Sequence, residues 1–163
     1  MKKIIFVRHG KAEDDNPDIT DFERSLTLKG KIISRQMARR FRETENNPGT
    51  MITSPAFRAI ETAYIFASES GIQPEDVIID SNLYHRPGIK HLFRMFDSLD
   101  NKIDSITLFG HNPSFTEMPD RLCRSGCEFL TKSSVVCVLF QVKTWPEIKL
   151  DSGKIEYFLK PEK

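Results

Sequence analysis

The apolar positions of this chain fall into short, dense runs separated by longer stretches of mixed character. Ile4 to Val7 is an unbroken β-branched and aromatic run, the pattern of a strand buried on both faces. Further strands are expected at 50–53, 77–79, 105–109, 135–142 and 155–159. The last two should pair antiparallel, joined through a loop with a turn at Asp151-Ser152-Gly153. Helical periods lie between the earlier runs. Leu28, Ile32, Met37 and Phe41 share one face of a helix that Ser25 or Thr27 can cap and that reaches about Thr44; Arg35, Arg39, Arg40 and Arg42 fall mostly outside that face. Ser54-Pro55 reads as the N-cap and first position of a second helix, closing at Gly71. A third helix is expected from Ile89 to Leu99. Asn112-Pro113 resembles the cap and first turn of a fourth, which Pro119 should shorten or kink. Strands alternating with helices imply an α/β chain, a three-layer α/β/α sandwich with a mainly parallel sheet.

Composition narrows the class. At 163 residues the chain fits a single domain, 1–163, that can bury a core without disulfides or metals. Twenty-four basic and 23 acidic residues leave a net charge of +1, which gives no footprint for nucleic acid or for an anionic membrane. No apolar run approaches the roughly 20 residues of a membrane span, and the opening run is too short for a signal-peptide core. The cysteines, Cys123, Cys127 and Cys137, are odd in number. Cys123 and Cys127 are spaced to share a helix face, but a zinc site would need two further ligands close by, so free thiols are expected. The whole reads as a reduced, cytoplasmic, soluble protein.

Candidate chemistry sits where strands end. The first strand stops at Arg8-His9-Gly10, the fourth at Gly110-His111-Asn112-Pro113, and the second leads through Ser54-Pro55 to Arg58. Parallel strands place their carboxyl ends on one edge, where open α/β sheets bind ligands. Arg8, His9, Arg58 and His111 can therefore converge. Two guanidiniums supply forked donors that match phosphate oxygens, and two helix N-termini add backbone N–H groups. The set favours a dianionic phosphoryl group.

Arg8-His9-Gly10, Ser54-Pro55 with Arg58, Ala59 and Thr62, and Gly110-His111-Asn112-Pro113 together resemble the histidine phosphatase superfamily, whose fold is phosphoglycerate mutase-like. The short chain, and Arg24-Ser25-Leu26-Thr27 followed by Gly30, resemble more narrowly the SixA-like phosphohistidine phosphatases, with serine where that group usually has proline. The resemblance implies a two-step transfer without cofactor or metal. His9 would attack phosphorus and be transiently phosphorylated, and water would hydrolyse the intermediate. His111 would donate to the phosphoryl oxygens while Arg8 and Arg58 hold them. Gly10, Asn112 and Arg24 are candidate substrate-binding residues, although Arg24 reads equally as a surface charge. The other nitrogen of His9 should donate to a backbone carbonyl near Gly10, which sets the tautomer.

Phosphoglycerate mutases and many phosphomonoesterases of that superfamily place a glutamate in the loop after the third strand to protonate the leaving alcohol. Here the stretch reads Ser81-Asn82-Leu83-Tyr84-His85, without a carboxylate. An alkoxide needs such an acid; imidazole, with a conjugate-acid pKa near 6.5, leaves far more easily. The loss fits cleavage of N–P rather than O–P bonds, with Asp21 a possible substitute acid and His85 a weaker one. A phosphorylated protein such as a histidine phosphotransfer domain is the expected partner. The rivals are a small phosphorylated metabolite acted on by a phosphomonoesterase, and a phosphoprotein-binding module without turnover.

Overall fold

The computed structural model describes residues 1–163. Six strands form one sheet in the order β3-β2-β4-β1-β5-β6: β1 (Lys2–Arg8), β2 (Thr50–Thr53), β3 (Ile78–Ile79), β4 (Ser105–Gly110), β5 (Val135–Phe140) and β6 (Lys154–Leu159). The first four run parallel; β5 is antiparallel to β1 and to β6. The expected β5–β6 pair is present, with β5 ending two residues short of Val142. β3 is an exposed edge of two residues, so Val77 is buried just outside it.

Four helices cover the sheet: α1 (Leu28–Thr44), α2 (Phe57–Glu69), α3 (Ile89–Ser98) and α4 (Ser114–Leu122). The twofold alternation of β1 separates two cores. Ile5 and Val7 join Phe41 of α1 and Phe66 of α2. Ile4 and Phe6 join Leu92 and Phe96 of α3 and Phe115 of α4. Both faces are thus filled, and β1 is wholly buried from Ile4 to Val7. The fold is a phosphoglycerate mutase-like α/β/α arrangement with a mainly parallel sheet.

Three local expectations need correction. Thr27 caps α1, its hydroxyl accepting from Gly30 N, but Leu28 and Ile32 are 75% and 51% exposed. The buried face is Gly30, Ser34, Met37, Ala38 and Phe41. Small residues are chosen there because the chain after β1 crosses α1 closely: a Cβ on Gly30 would lie 2.1 Å from Lys11 O. α2 begins at Phe57 rather than at Pro55, with Ala56 at the N-cap and no side-chain cap; the Ser54 hydroxyl accepts from Ala56 N at 3.3 Å, too early in the chain to cap it, and also meets His111. α4 likewise begins after Pro113, without a side-chain cap, following a cis Asn112–Pro113 bond. Cys123 falls beyond its end, so Cys123 and Cys127 share no helix face, and all three cysteines are free.

At the amino edge of the sheet the buried cation has a complete set of partners, although the Ser105 hydroxyl close by is buried without one. Lys2, 1% exposed, donates from Nζ to Asn101 O, Ile103 O and Asp104 Oδ1 at 2.6, 2.8 and 2.9 Å. Trp145, the only tryptophan, is buried in a short 3-10 turn beside it and donates from Nε1 to Ile103 O.

Candidate active site

Strand β1 delivers two functional groups in succession and then turns. His9 N donates to Gly110 O at 3.0 Å, which carries the β1–β4 ladder one step past Arg8. Gly10 N donates to Thr62 Oγ1 of α2. A Cβ on Gly10 would sit 2.4 Å from Ser34 Oγ, so only a bare α-carbon lets α1 pass here. Gly10 O then accepts from His9 Nδ1 at 2.7 Å. That bond places the proton of neutral His9 on Nδ1 and leaves Nε2 with its lone pair.

His111, just past β4, faces His9 with ring centroids 5.0 Å apart. Its Nε2 is 2.7 Å from Ser54 Oγ, which also accepts from Ala56 N. With the serine donating, the imidazole proton lies on Nδ1. His111 Nδ1 is buried without a hydrogen-bond partner, and so is Arg8 Nε. Buried donors are rarely left unpaired, and an anion between Arg8 and the two histidines would satisfy both.

Burial, followed by the charges of His111, Arg58 and Arg8, pulls the His9 pKa down to about 3 against a smaller upward pull from the Gly10 bond. Burial, then Arg58 and Arg8, takes His111 to about 4 although Asp21 opposes this. Both imidazoles are therefore neutral at neutral pH.

The two arginines are held differently. Arg8 Nη1 donates to Leu130 O at 3.0 Å, with its guanidinium 5.6 Å from the Phe129 ring centroid. Arg58, 7% exposed, is gripped by the short 3-10 turn Asp21–Glu23: Nη1 donates to Asp21 O at 2.6 Å and Nη2 to Asp21 Oδ2 at 3.0 Å. The same carboxylate accepts from Arg24 Nη1 at 2.8 Å and from Tyr84 OH at 2.7 Å. Burial alone would push the Asp21 carboxyl up, but the Tyr84, Arg24 and Arg58 hydrogen bonds outweigh it and hold the group well below the usual carboxylate range. Asp21 is thus charged in this conformation and carries no proton to give.

The structure brings Arg8, His9, Arg58 and His111 together at one sheet edge and adds Asp21 and Arg24 as a second layer. Asn112 belongs to the framework: its Nδ2 donates to Leu130 O, and its Oδ1 accepts from Thr116 Oγ1. His85 is exposed at the rim, its ring 4.5 Å from that of Tyr84. His91 pairs with Asp80, not with the site. Sequence reasoning did not single out Tyr84, whose ring edge also meets His111 at 5.7 Å. Its partner Asp21 is 63 positions away, a separation that leaves no local pattern. Glu45, Cys137 and Glu156 are close enough to share an ion, but they lie at the other edge, and Glu45 is already paired with Lys3 and Tyr157.

Comparisons with known proteins agree with this arrangement. A model of the histidine phosphatase superfamily (branch 1) matches residues 4–85. An uncharacterized protein of Picosynechococcus sp. is 28% identical over 122 residues, 74% of this chain and 72% of its own length. Among solved structures, the protein histidine phosphatase SixA complexed with tungstate superposes with a TM-score of 0.82 at 20% identity, covering 98% of this chain and 97% of that one. SixA from Agrobacterium tumefaciens gives 0.79 at 18% identity, with 98% of each chain covered. A mycobacterial glucosyl-3-phosphoglycerate phosphatase in complex with VO3 gives 0.68 at 12% identity, covering 96% and 98%. Identities this low speak for the fold. The sequence match runs from β1 through α2 and contains Arg8, His9 and Arg58, and by it the chain belongs to the histidine phosphatase superfamily, branch 1.

Proposed function

We propose that residues 1–163 form one histidine phosphatase domain that hydrolyses phosphohistidine on a protein substrate through a phosphorylated His9. The observation that carries this reading is the His9 tautomer. Nδ1 is committed to Gly10 O, which leaves Nε2 with its lone pair, while His111, 5.0 Å away between ring centroids, and Arg8 have Nδ1 and Nε without partners. A nucleophile and the donors for phosphoryl oxygens then share one buried spot, as phosphoryl transfer needs.

His9 Nε2 would form the new N–P bond while the substrate N–P bond breaks. With its far ring nitrogen protonated from solvent, the substrate imidazole takes the bonding pair and departs neutral, so the enzyme need supply no acid. That agrees with a loop at 81–85 without a carboxylate and with an Asp21 held ionised. His111 Nδ1, Arg8 and Arg58 would stabilise the three phosphoryl oxygens, and the Gly10 carbonyl would stabilise the phosphoimidazolium on His9. Water then attacks phosphorus and releases His9. The positive charge comes from the arginines, so chelators should leave turnover unchanged.

The test is a trapping experiment with wild type and His9→Ala. Wild type mixed with a phosphorylated histidine phosphotransfer domain should yield an acid-labile phosphoenzyme and release phosphate, and His9→Ala should do neither. Faster turnover of p-nitrophenyl phosphate or a sugar phosphate than of phosphohistidine would replace the proposal with a small-molecule phosphomonoesterase.

A further inference from the structure

Two clefts flank the candidate site, and both are lined by cations with no carboxylate in the wall, Asp80 lying behind His91 of the second. One, about 430 Å³, adjoins Arg8 on the β5 side and is lined by Lys11, Lys29 and Lys132 together with Phe129. The other, about 550 Å³, adjoins His85 on the β3 side and is lined by Arg86, Lys90, Arg94 and Arg121. None of these seven side chains is in an ion pair, whereas Lys3, Arg24, Arg35, Arg39 and Arg58 each hold a carboxylate. All seven are exposed. The chain's net charge is only +1, so this concentration is local. Like charges gathered in a concave wall repel one another and raise the potential there, an arrangement that an anionic partner relieves.

Tyr84 stands between the second cleft and the chemistry, with its ring 4.5 Å from His85 on one side and 5.7 Å from His111 on the other. The first cleft includes Arg8 itself. A ligand that engages both clefts must extend to either side of the histidines, as the surface of a protein does and a group held only at the histidines does not. The exposed acidic stretch Glu13–Asp18 lies against Arg24 through Glu13 O and Asp15; it would repel negative charge and so set the orientation of the partner.

We infer that the two basic clefts are docking surfaces for acidic patches on either side of the phosphohistidine of the protein substrate. The inference rests on the protein-substrate reading above and adds to it the charge of the substrate's surface. Arg86, Lys90, Arg94 and Arg121 form the stronger half, because three of them are guanidiniums that match carboxylates bidentately. They act on encounter and residence, so they enter KM and the salt dependence but not the chemical step.

The experiment compares two substrates, a phosphorylated histidine phosphotransfer domain with an acidic surface and N-phosphoimidazole, with wild type and two variants, R86Q/K90Q/R94Q/R121Q and K11Q/K29Q/K132Q. The altered side chains are exposed, and circular dichroism checks the fold. At low ionic strength each variant should lose about tenfold or more in kcat/KM on the protein substrate, through KM. Each should keep wild-type turnover of N-phosphoimidazole, and the wild-type advantage should shrink as salt is raised. Equal kcat/KM on the protein for wild type and both variants would overturn the docking surfaces while leaving the phosphohistidine reading intact. Parallel losses on both substrates would overturn them too, by placing these residues in the chemistry. Wild-type turnover of N-phosphoimidazole without turnover of the phosphoprotein would overturn both readings at once. A variant selectively impaired on a small polyanionic ester would reassign the second cleft to a metabolite.

Discussion

Strand β1 begins on a buried positive charge and ends on a half-buried one, and its two ends are finished in opposite ways. At the amino edge Lys2 uses all three ammonium protons on acceptors fixed by the β4 approach. At the carboxyl edge Arg8 spends Nη1 on Leu130 O and leaves Nε buried and unpaired, with His111 Nδ1 in the same condition nearby. A cation whose bonds are all met internally holds the sheet together. One whose bonds are left unmet costs stability, and the cost is recovered only when an anion arrives. The unmet donors of Arg8 and His111 mark where an anion would bind; the Ser70 and Ser105 hydroxyls are also buried and unpaired, but they carry no charge and lie away from the histidines.

The contrast can be broken most sharply at Arg8. Arg8→Ala should lower kcat/KM on a phosphohistidine protein by about 10²-fold or more while leaving the thermal midpoint close to wild type. A loss of stability as large as that of a core substitution would erase the distinction between the two ends. The amino edge should behave conversely. Lys2→Met leaves Asn101 O and Asp104 without this donor, while Ile103 O keeps Trp145 Nε1, a cost of about 2 kcal/mol by denaturant unfolding, with kcat unchanged in the folded fraction.

Asp21 tests the intermediate case, a saturated group that supports an unsaturated one. Asp21→Asn should reduce kcat/KM by about tenfold, because Arg58 loses its charged anchor. The alkaline limb of the pH–rate profile should stay where it is. Disappearance of that limb would mark Asp21 as the proton donor after all.

A further test is of stability against pH. His9 and His111 stay unprotonated when folded until about pH 3 and 4, whereas the unfolded chain protonates them below about 6.5. Protons then bind preferentially to the unfolded chain, so stability should fall as the pH drops from about 6.5 towards 4. His9→Gln/His111→Gln should flatten the fall of the thermal midpoint over that interval. An unchanged slope would mean that the two imidazoles are hydrated and titrate normally.

How much of this was visible beforehand varies with distance along the chain. β1 and β5 are spelled out by contiguous apolar runs, β2 and β6 by shorter runs mixed with polar residues, and Thr27 caps the helix it precedes. The apolar face of α1 misled, because Leu28 and Ile32 carry the hydrophobicity while Gly30, Ser34 and Ala38 carry the packing. Close approach selects small side chains, and a scale that rewards size misses them. Ser54 and Asn112 match cap patterns, yet Ser54 Oγ meets His111 and Ala56 N ahead of α2, and Asn112 serves Leu130 O and Thr116. Arg8, His9, Arg58 and His111 could be placed on one edge from strand order alone. The grip of Asp21 on Arg58 could not, since the two residues are 37 positions apart and meet only when the loop after β1 folds back over α2.

The location of Trp145 decides what spectroscopy will report. The only indole of the chain lies at the amino edge, stacked on Phe96 and beside Lys2, on the far side of the sheet from the histidines. Its emission should follow global melting faithfully and stay dark to oxyanions such as tungstate. Ligand titrations therefore call for the ring protons of His9 and His111, or a fluorophore placed near Phe129.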